Sequence, residues 1–346
     1  MTKNNISFAI FASALLLLTG CAKTASTDYG ELSQRTFDAW ISVNKQSSWT
    51  ETELGSWIIL LEDDASKPSV GSADDNPYLR LSYTVTDLDG NVTSTTDKTL
   101  SQQLGGSYWR SHYYYGPMMT YRGTSSMYAG LSEIIDGMHL GGHCKVVIPG
   151  WLLTSSRYDS KQDYLDAMSE TNSACIYDFT IEEIVPDTDK WELGILNAAL
   201  AGETAKADSL SPGVYYICDK ASDDPETEFK SGDEIYVNYI CARMSDGQVV
   251  DTNIEREAKI AGIYSSSNTY EPLLINWADS ASELTMTSSK SNMVTGFAEA
   301  VFAMRAHEKG RVFMTSDNAY SSGSGKAIPS FCPIVFTIEM VDDPNE

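Results

Sequence analysis

The sequence predicts an α+β fold in which one domain is built twice. Three observations carry this: an ordered internal repeat, alternating strands closed by Asp-Gly turns, and one short amphipathic helix among the strands of each copy. Gly130 to Leu153 and Gly296 to Ala319 align at a constant offset of 166 residues, which pairs Gly130 with Gly296, Glu133 with Glu299, Met138 with Met304 and Val146 with Val312. Cys175 and Phe179-Thr-Ile-Glu182 recur as Cys332 and Phe336-Thr-Ile-Glu339 at an offset of 157. Tyr83 followed by Asp89-Gly90 recurs as Tyr239 followed by Asp246-Gly247. A solenoid would repeat every 20 to 50 residues or so. A period this long means two copies of a domain.

In chain order, Lys3 precedes the apolar run Ile6 to Leu18, whose 13 residues fall short of the roughly 20 that a spanning helix needs. It reads as a signal-peptide core. Leu18-Thr19-Gly20-Cys21 resembles the bacterial lipobox, in which the cysteine becomes the lipidated mature terminus. Residues 1–20 are therefore expected to be a lipoprotein signal, and 21–33 a polar tether. Ala22, rather than Asp, favours the outer membrane. Leu32 to Val43 has a helical pattern and leads the first domain, placed at 34–186. Its strand alternates Leu79, Leu81, Tyr83 and Val85, the period of a half-buried strand, and Asp89-Gly90 supplies a tight turn. Lys190 to Ala205 reads as a linker helix, which puts the boundary near residue 187 and the second domain at 187–346. Ile235, Val237 and Tyr239 form the second copy of the alternating strand. Phe297, Val301 and Met304 form the inner stripe of a helix near Thr295 to Ala306. Strands at Arg311–Thr315 and Ile334–Val341 close the domain.

Composition limits the function. The chain has 346 residues, 24 Lys+Arg and 48 Asp+Glu, a net charge of −24. Nucleic-acid and polybasic membrane partners need clustered cations, so neither is expected. Five cysteines remain beyond Cys21, namely Cys144, Cys175, Cys218, Cys241 and Cys332. The odd number and the absence of CxxC argue for buried free thiols over a disulfide frame. His139 and His143 flank Gly141-Gly142, which would break a helix, so no metal site is expected there. Asp87-Leu-Asp89-Gly90-Asn91 is too short for a calcium loop and reads as a hairpin. Ser107 to Gly123, SYWRSHYYYGPMMTYRG, reads either as an insertion packed on its own domain or as a platform for clients.

The second copy resembles FKBP-type peptidyl-prolyl cis-trans isomerases. The matching pieces are Val237-Asn-Tyr239, Asp246-Gly247-Gln-Val-Val250-Asp251-Thr252, Val294-Thr-Gly296-Phe297-Ala-Glu299, Ala319-Tyr320, Ala327-Ile328-Pro329 and Val335-Phe336-Thr-Ile-Glu339. They cover about Gly213 to Asp342. The resemblance implies two FKBP-like domains, each an antiparallel sheet wrapped on a short helix. It assigns Tyr239 and Phe336 as walls of a proline pocket and Phe297 as a floor where the family usually has Trp. Met293, Val294, Val250 and Leu273 would line it, with the Val294 backbone a hydrogen-bonding candidate. Tyr320 would donate its hydroxyl to a ligand carbonyl, Asp251 would be the polar pocket residue, and Ile328 the lip of a flap. It implies proline-containing peptides as substrate, no cofactor, and contact with the membrane through the lipid anchor only. The expected setting is the cell envelope, where the protein would assist folding of exported chains. The alternative is a non-catalytic peptide-binding chaperone or scaffold. Segment 253–271 is longer than the family norm and could cover the pocket.

The chemistry accounts for these residue types. Rotating an Xaa-Pro bond crosses a barrier of ~18–20 kcal/mol. A pocket that clasps the ring, excludes water and hydrogen-bonds the carbonyl can favour the twisted amide without a nucleophile. The first copy has Ser94 at the aspartate position, Thr154 at the hydroxyl position and Leu131 at the floor. Tyr83 and Phe179 are its remaining matches, and the interval from Met138 to Phe179 is 41 residues against 32 from Met304 to Phe336. Activity is therefore expected in the second copy alone.

Overall fold

A computed structural model describes residues 28–124, 126–287 and 293–344. Residues 1–20, expected to be a lipoprotein signal, and Cys21 lie outside the described residues. Two antiparallel sheets with separate apolar cores make up the molecule, and they share one strand order. In the amino-terminal half the order is Met118–Tyr121, Tyr78–Asp87, Cys175–Val185, His143–Ile148, Trp57–Glu62 and Thr50–Glu51. In the carboxyl-terminal half it is Leu273–Asn276, Glu234–Arg243, Ile334–Val341, Lys309–Met314, Val214–Lys220 and Asp208–Ser211. The hairpin strands Val92–Thr95 and Val249–Thr252 add to the first-listed edge of each long strand.

Each sheet curls over one short helix, Ala129–Ile135 or Thr295–Ala303. Gly130 and Gly296 begin these helices for the same reason. A Cβ on Gly130 would lie 2.6 Å from Ile148 Cγ2, and one on Gly296 would lie 2.8 Å from Met314 Sδ. The repeated glutamate also has one use in both halves. Glu133 accepts from the Thr52 hydroxyl at 2.8 Å and the Leu54 N–H at 2.7 Å, and Glu299 accepts from the Ser211 hydroxyl at 2.6 Å. It ties the helix to the sheet's far hairpin. Asp87 Oδ1 takes the N–H groups of Asp89 and Asn91, and Gly90 turns with φ +88°. This is the hairpin that Asp-Gly predicts.

The structure corrects several details. The leading helix runs Tyr29–Asn44, capped by the Asp28 carboxylate on Glu31 N, so residues 29–33 are helix rather than tether. The linker helix is Thr188–Ala201, and the pocket helix ends at Ala303. Glu192 of the linker helix is buried and accepts the Ser316 N–H and hydroxyl, both at 2.6 Å. That bond and Leu196 pack the helix on the carboxyl-terminal half. Cys144, Cys241 and Cys332 are buried, but Cys218 is an exposed free thiol. Burial pushes the Cys144 and Cys332 thiols up to about 12. The Phe-Thr-Ile-Glu match is out of step by two residues. Tyr83 pairs with Phe179, whereas Tyr239 pairs with Ile338. The residue equivalent to Phe336 is therefore Tyr177, which faces the same side because a slip of two preserves the face.

His139 and His143 both meet carboxylates. His139 Nδ1 lies 2.7 Å from Asp63, and His143 Nε2 lies 2.7 Å from Asp178 with Glu62 at 3.3 Å on its other nitrogen. The hydrogen bond to Asp178, and after it that to Glu62, raises the His143 pKa against a partial desolvation. A folded pKa above the unfolded value gives stability that is full below about pH 6.5 and fades as pH rises through the folded pKa. His143→Gln is expected to cost at most about 1 kcal/mol near pH 5.5, since both carboxylates are open to solvent. The loss should shrink near pH 9. Urea melts of the wild type and His143→Gln at the two pH values check this, and a larger loss at high pH would contradict it.

Candidate active site

The long strand Glu234–Arg243 places Tyr239 and Cys241 on alternate positions facing the helix, and Val237 packs below them. Tyr239, Phe297 and Phe336 form a cup of three edge-on rings, with centroid distances of 5.9 Å for Tyr239–Phe297, 6.0 Å for Tyr239–Phe336 and 5.0 Å for Phe297–Phe336. Phe297 and Phe336 are buried, while Tyr239 is half-buried and forms the outer wall. Val250, Leu273, Met293, Val294 and Tyr320 lie partly buried around the same cluster, and Ile328 is buried within it. The expected lining residues all belong to or pack against the apolar core of this half.

A bulge positions the acid. Cys241 pairs with Asp251 and Ala242 pairs with Val249, which leaves Val250 as the extra residue. A bulge of this kind re-aims a side chain. Asp251 is exposed, and its Oδ2 accepts the Tyr239 hydroxyl at 2.9 Å. Burial first, and Asp251 second, hold the Tyr239 pKa far above the ordinary phenol value. Burial pushes the Tyr320 hydroxyl up to about 12, so it stays protonated and remains a donor. Among the described residues no group accepts its proton. The Val294 N–H also has no acceptor among the described residues, just ahead of the helix start. Two donors and one carboxylate thus border an aromatic cup. The segment 253–271 folds into a helix, Glu255–Ala261, and a turn, and it leaves Asp251 exposed.

Sequence reasoning missed two residues. Asn253 is nearly buried and receives Tyr239 N–H at 2.8 Å, while its amide donates to Val237 O at 2.9 Å and Glu271 O at 3.0 Å. It pins both ends of the insert to the pocket strand. Arg243 is 1% exposed at the end of that strand. Its place four residues after Tyr239, on the inward face, was the available signal.

The amino-terminal half has the same frame with other residues at these positions. Val85 pairs with Ser94 across an equivalent bulge at Thr93, so Ser94 stands where Asp251 does. A cleft lined by Tyr83, Ser94, Tyr128, Leu131, Tyr177 and Phe179 occupies the corresponding place.

Residues 226–341 match the sequence profile of the FKBP-type peptidyl-prolyl cis-trans isomerase family. The match spans every residue of the cup, the acid and the flap, and the chain carries an FKBP-type isomerase domain there. No curated protein matches the chain. Among solved structures, the three FKBP domains of wheat FKBP73 align at 13% identity and a TM-score of 0.29, covering 83% of this chain and 94% of that one. A peptidyl-prolyl cis-trans isomerase from Pseudomonas syringae pv. tomato aligns at 20% identity and a TM-score of 0.31, covering 45% of this chain and 92% of that one.

Proposed function

We propose that the protein is a lipid-anchored peptidyl-prolyl cis-trans isomerase of the cell envelope, and that its activity resides in the carboxyl-terminal half. The observation that carries this is the aromatic cup of Tyr239, Phe297 and Phe336 beside Asp251 and two donors without an acceptor among the described residues. A proline ring enters the cup and loses water. The Tyr320 hydroxyl and the Val294 N–H offer hydrogen bonds to peptide carbonyls, and Asp251 orients the chain. Twisting the amide removes its resonance and lowers its polarity, so a dry aromatic wall favours the twisted state over the planar one. Uncatalysed isomerisation takes tens of seconds and can limit folding, which suits a role with exported chains. The amino-terminal half lacks the acid and the aromatic floor, and its cleft supports a holding role rather than a catalytic one.

The test is a proline-isomerisation assay on the full chain in detergent. Ser94→Ala is expected to leave the rate unchanged and Asp251→Ala to lower it. A wild-type chain without activity would favour the peptide-binding reading. Anchoring through Cys21 is tested separately. The wild type should incorporate labelled fatty acid and partition into detergent, and a Cys21→Ala chain that still labels would remove the lipoprotein reading.

A further inference from the structure

We propose that the tyrosine-rich segment of the amino-terminal half, residues 107–116, is a positioning element for the flap of the active site. It acts through Arg243 and Lys326, and so sets how tightly prolyl peptides are held. The proposal rests on the isomerase reading of the site. The segment was open to two readings, an insertion on its own domain or a client platform. It packs on its own domain, where Tyr108 donates to Val92 O at 2.6 Å and Arg80 to the Tyr114 hydroxyl at 3.0 Å, and its contacts also reach across to the other half.

The flap, residues 320–331, has little structure of its own. Ile328, the lip of the cup, is joined to Ser324 by a single bridge, with N···O distances of 2.7 and 3.1 Å. Gly323 and Gly325 lie at φ +80° and +55°. Glycines lose the most conformational freedom on ordering, so such a loop needs outside restraint to keep Ile328 in place.

That restraint comes on both sides of Ile328. Arg243 is a buried cation shared between the halves. Its Nε and Nη2 hold the Asp246 carboxylate at 3.0 and 2.8 Å. Its Nη1 donates to the carbonyl of Ala327, the residue before Ile328, and to His112 O at 2.8 Å. Tyr114 lies over the guanidinium, 5.5 Å from its centre. Lys326 makes a second joint: its carbonyl accepts Tyr114 N–H at 2.8 Å and its Nζ donates to Ser107 O at 3.0 Å. The same Nζ lies 5.4 Å from the Tyr113 ring. A third joint holds the far end of the flap. Phe331 sits at φ +57°, unfavourable for a residue with a Cβ, and its ring packs on Tyr78 at 5.1 Å. Ser107, His112, Tyr114 and Tyr78 of one half thus brace the lip of the other half's pocket, in part through Arg243.

The fork geometry of arginine matters here. A guanidinium offers five donors in fixed directions, whereas an ammonium is a single point. Lysine at 243 could keep Asp246 but could not also hold Ala327 and His112. A flap ordered in advance spares the substrate the cost of ordering it. Its release should weaken binding of ground and transition states alike, which appears in KM rather than kcat.

The test uses the full chain in detergent, a proline-containing tetrapeptide substrate, and hydrogen exchange of residues 320–331. Arg243→Lys and the pair Tyr113→Ala with Lys326→Ala are compared with wild type. The expected result is a KM raised about five-fold or more with kcat changed less than about two-fold. Exchange in 320–331 should quicken roughly ten-fold, with the strands Glu234–Arg243 and Ile334–Val341 unaffected. The double variant alters the half-buried Tyr113 and the exposed Lys326, so it reads the proposal even where Arg243→Lys does not fold. Unchanged flap exchange, or a fall in kcat at constant KM, would overturn the clamp. A wild type without turnover would remove the isomerase reading alone, because exchange reports the flap without it.

Discussion

Tyr320→Phe and Asp251→Ala are each expected to lower kcat/KM of the full chain about five- to hundred-fold. Among the described residues the Tyr320 hydroxyl has no acceptor, and burial keeps it protonated, so its hydrogen bond is available to a peptide carbonyl. Losing one such bond costs roughly 1–3 kcal/mol, and each 1.36 kcal/mol or so is tenfold in rate when the bond acts in the transition state. Asp251 acts differently, because its Oδ2 is already engaged by the Tyr239 hydroxyl at 2.9 Å. Removing it deprives the peptide of a polar contact and frees Tyr239 from its position on the wall. The two substitutions should therefore be less than additive, since both disturb one small constellation. A chymotrypsin-coupled or NMR exchange assay measures the effect. Full activity in both variants would mean that the cup alone accounts for the rate.

Trp151→Ala is expected to destabilise the amino-terminal half by about 3–5 kcal/mol, the range for deleting a large buried aromatic. Trp151 is 2% exposed and packs edge-on against Phe37 of the leading helix at 5.2 Å. Its Nε1 donates to Leu54 O at 3.1 Å, so the substitution also strips a carbonyl of its partner. A unit of this size loses roughly 2–4 °C of Tm per kcal/mol, which predicts a fall of about 6–20 °C. Calorimetry should show the shift. A change under about 2 °C would mean that the leading helix contributes little to the core.

Much of the site was legible because it follows from local rules. The final strand runs Ile334–Val341 as its alternation predicts, and the helix begins at Thr295 as its glycine and apolar stripe require. Tyr239, Phe297 and Phe336 each sit on an element whose periodicity fixes its face, so this part of the family pattern carries through to one cluster. What was not legible depends on contacts between distant segments. The slip between Phe179 and Phe336 is invisible to periodicity, because moving by two residues returns the same face. Cys218 follows a buried run, yet it lies where the strand Val214–Lys220 runs out into solvent. Arg243 is an ordinary charged residue in the sequence. Beside Asp246, three residues on, its partners are backbone carbonyls from residues 112, 113 and 327, and backbone partners leave no signature in residue type.

The glycines that start the two pocket helices have a consequence for how the copies can differ. Gly130 and Gly296 set the depth of each helix against its sheet at the same level, through contacts with Ile148 and Met314 at equivalent positions. The next side chain, Leu131 or Phe297, is therefore delivered to the same point in space in either half. Its identity can change without moving the helix, the sheet or the strand that carries Tyr83 or Tyr239. Chemistry and architecture are in this way separable variables in the chain, and one copy can exchange its floor and its acid while continuing to serve as a rigid support for the other.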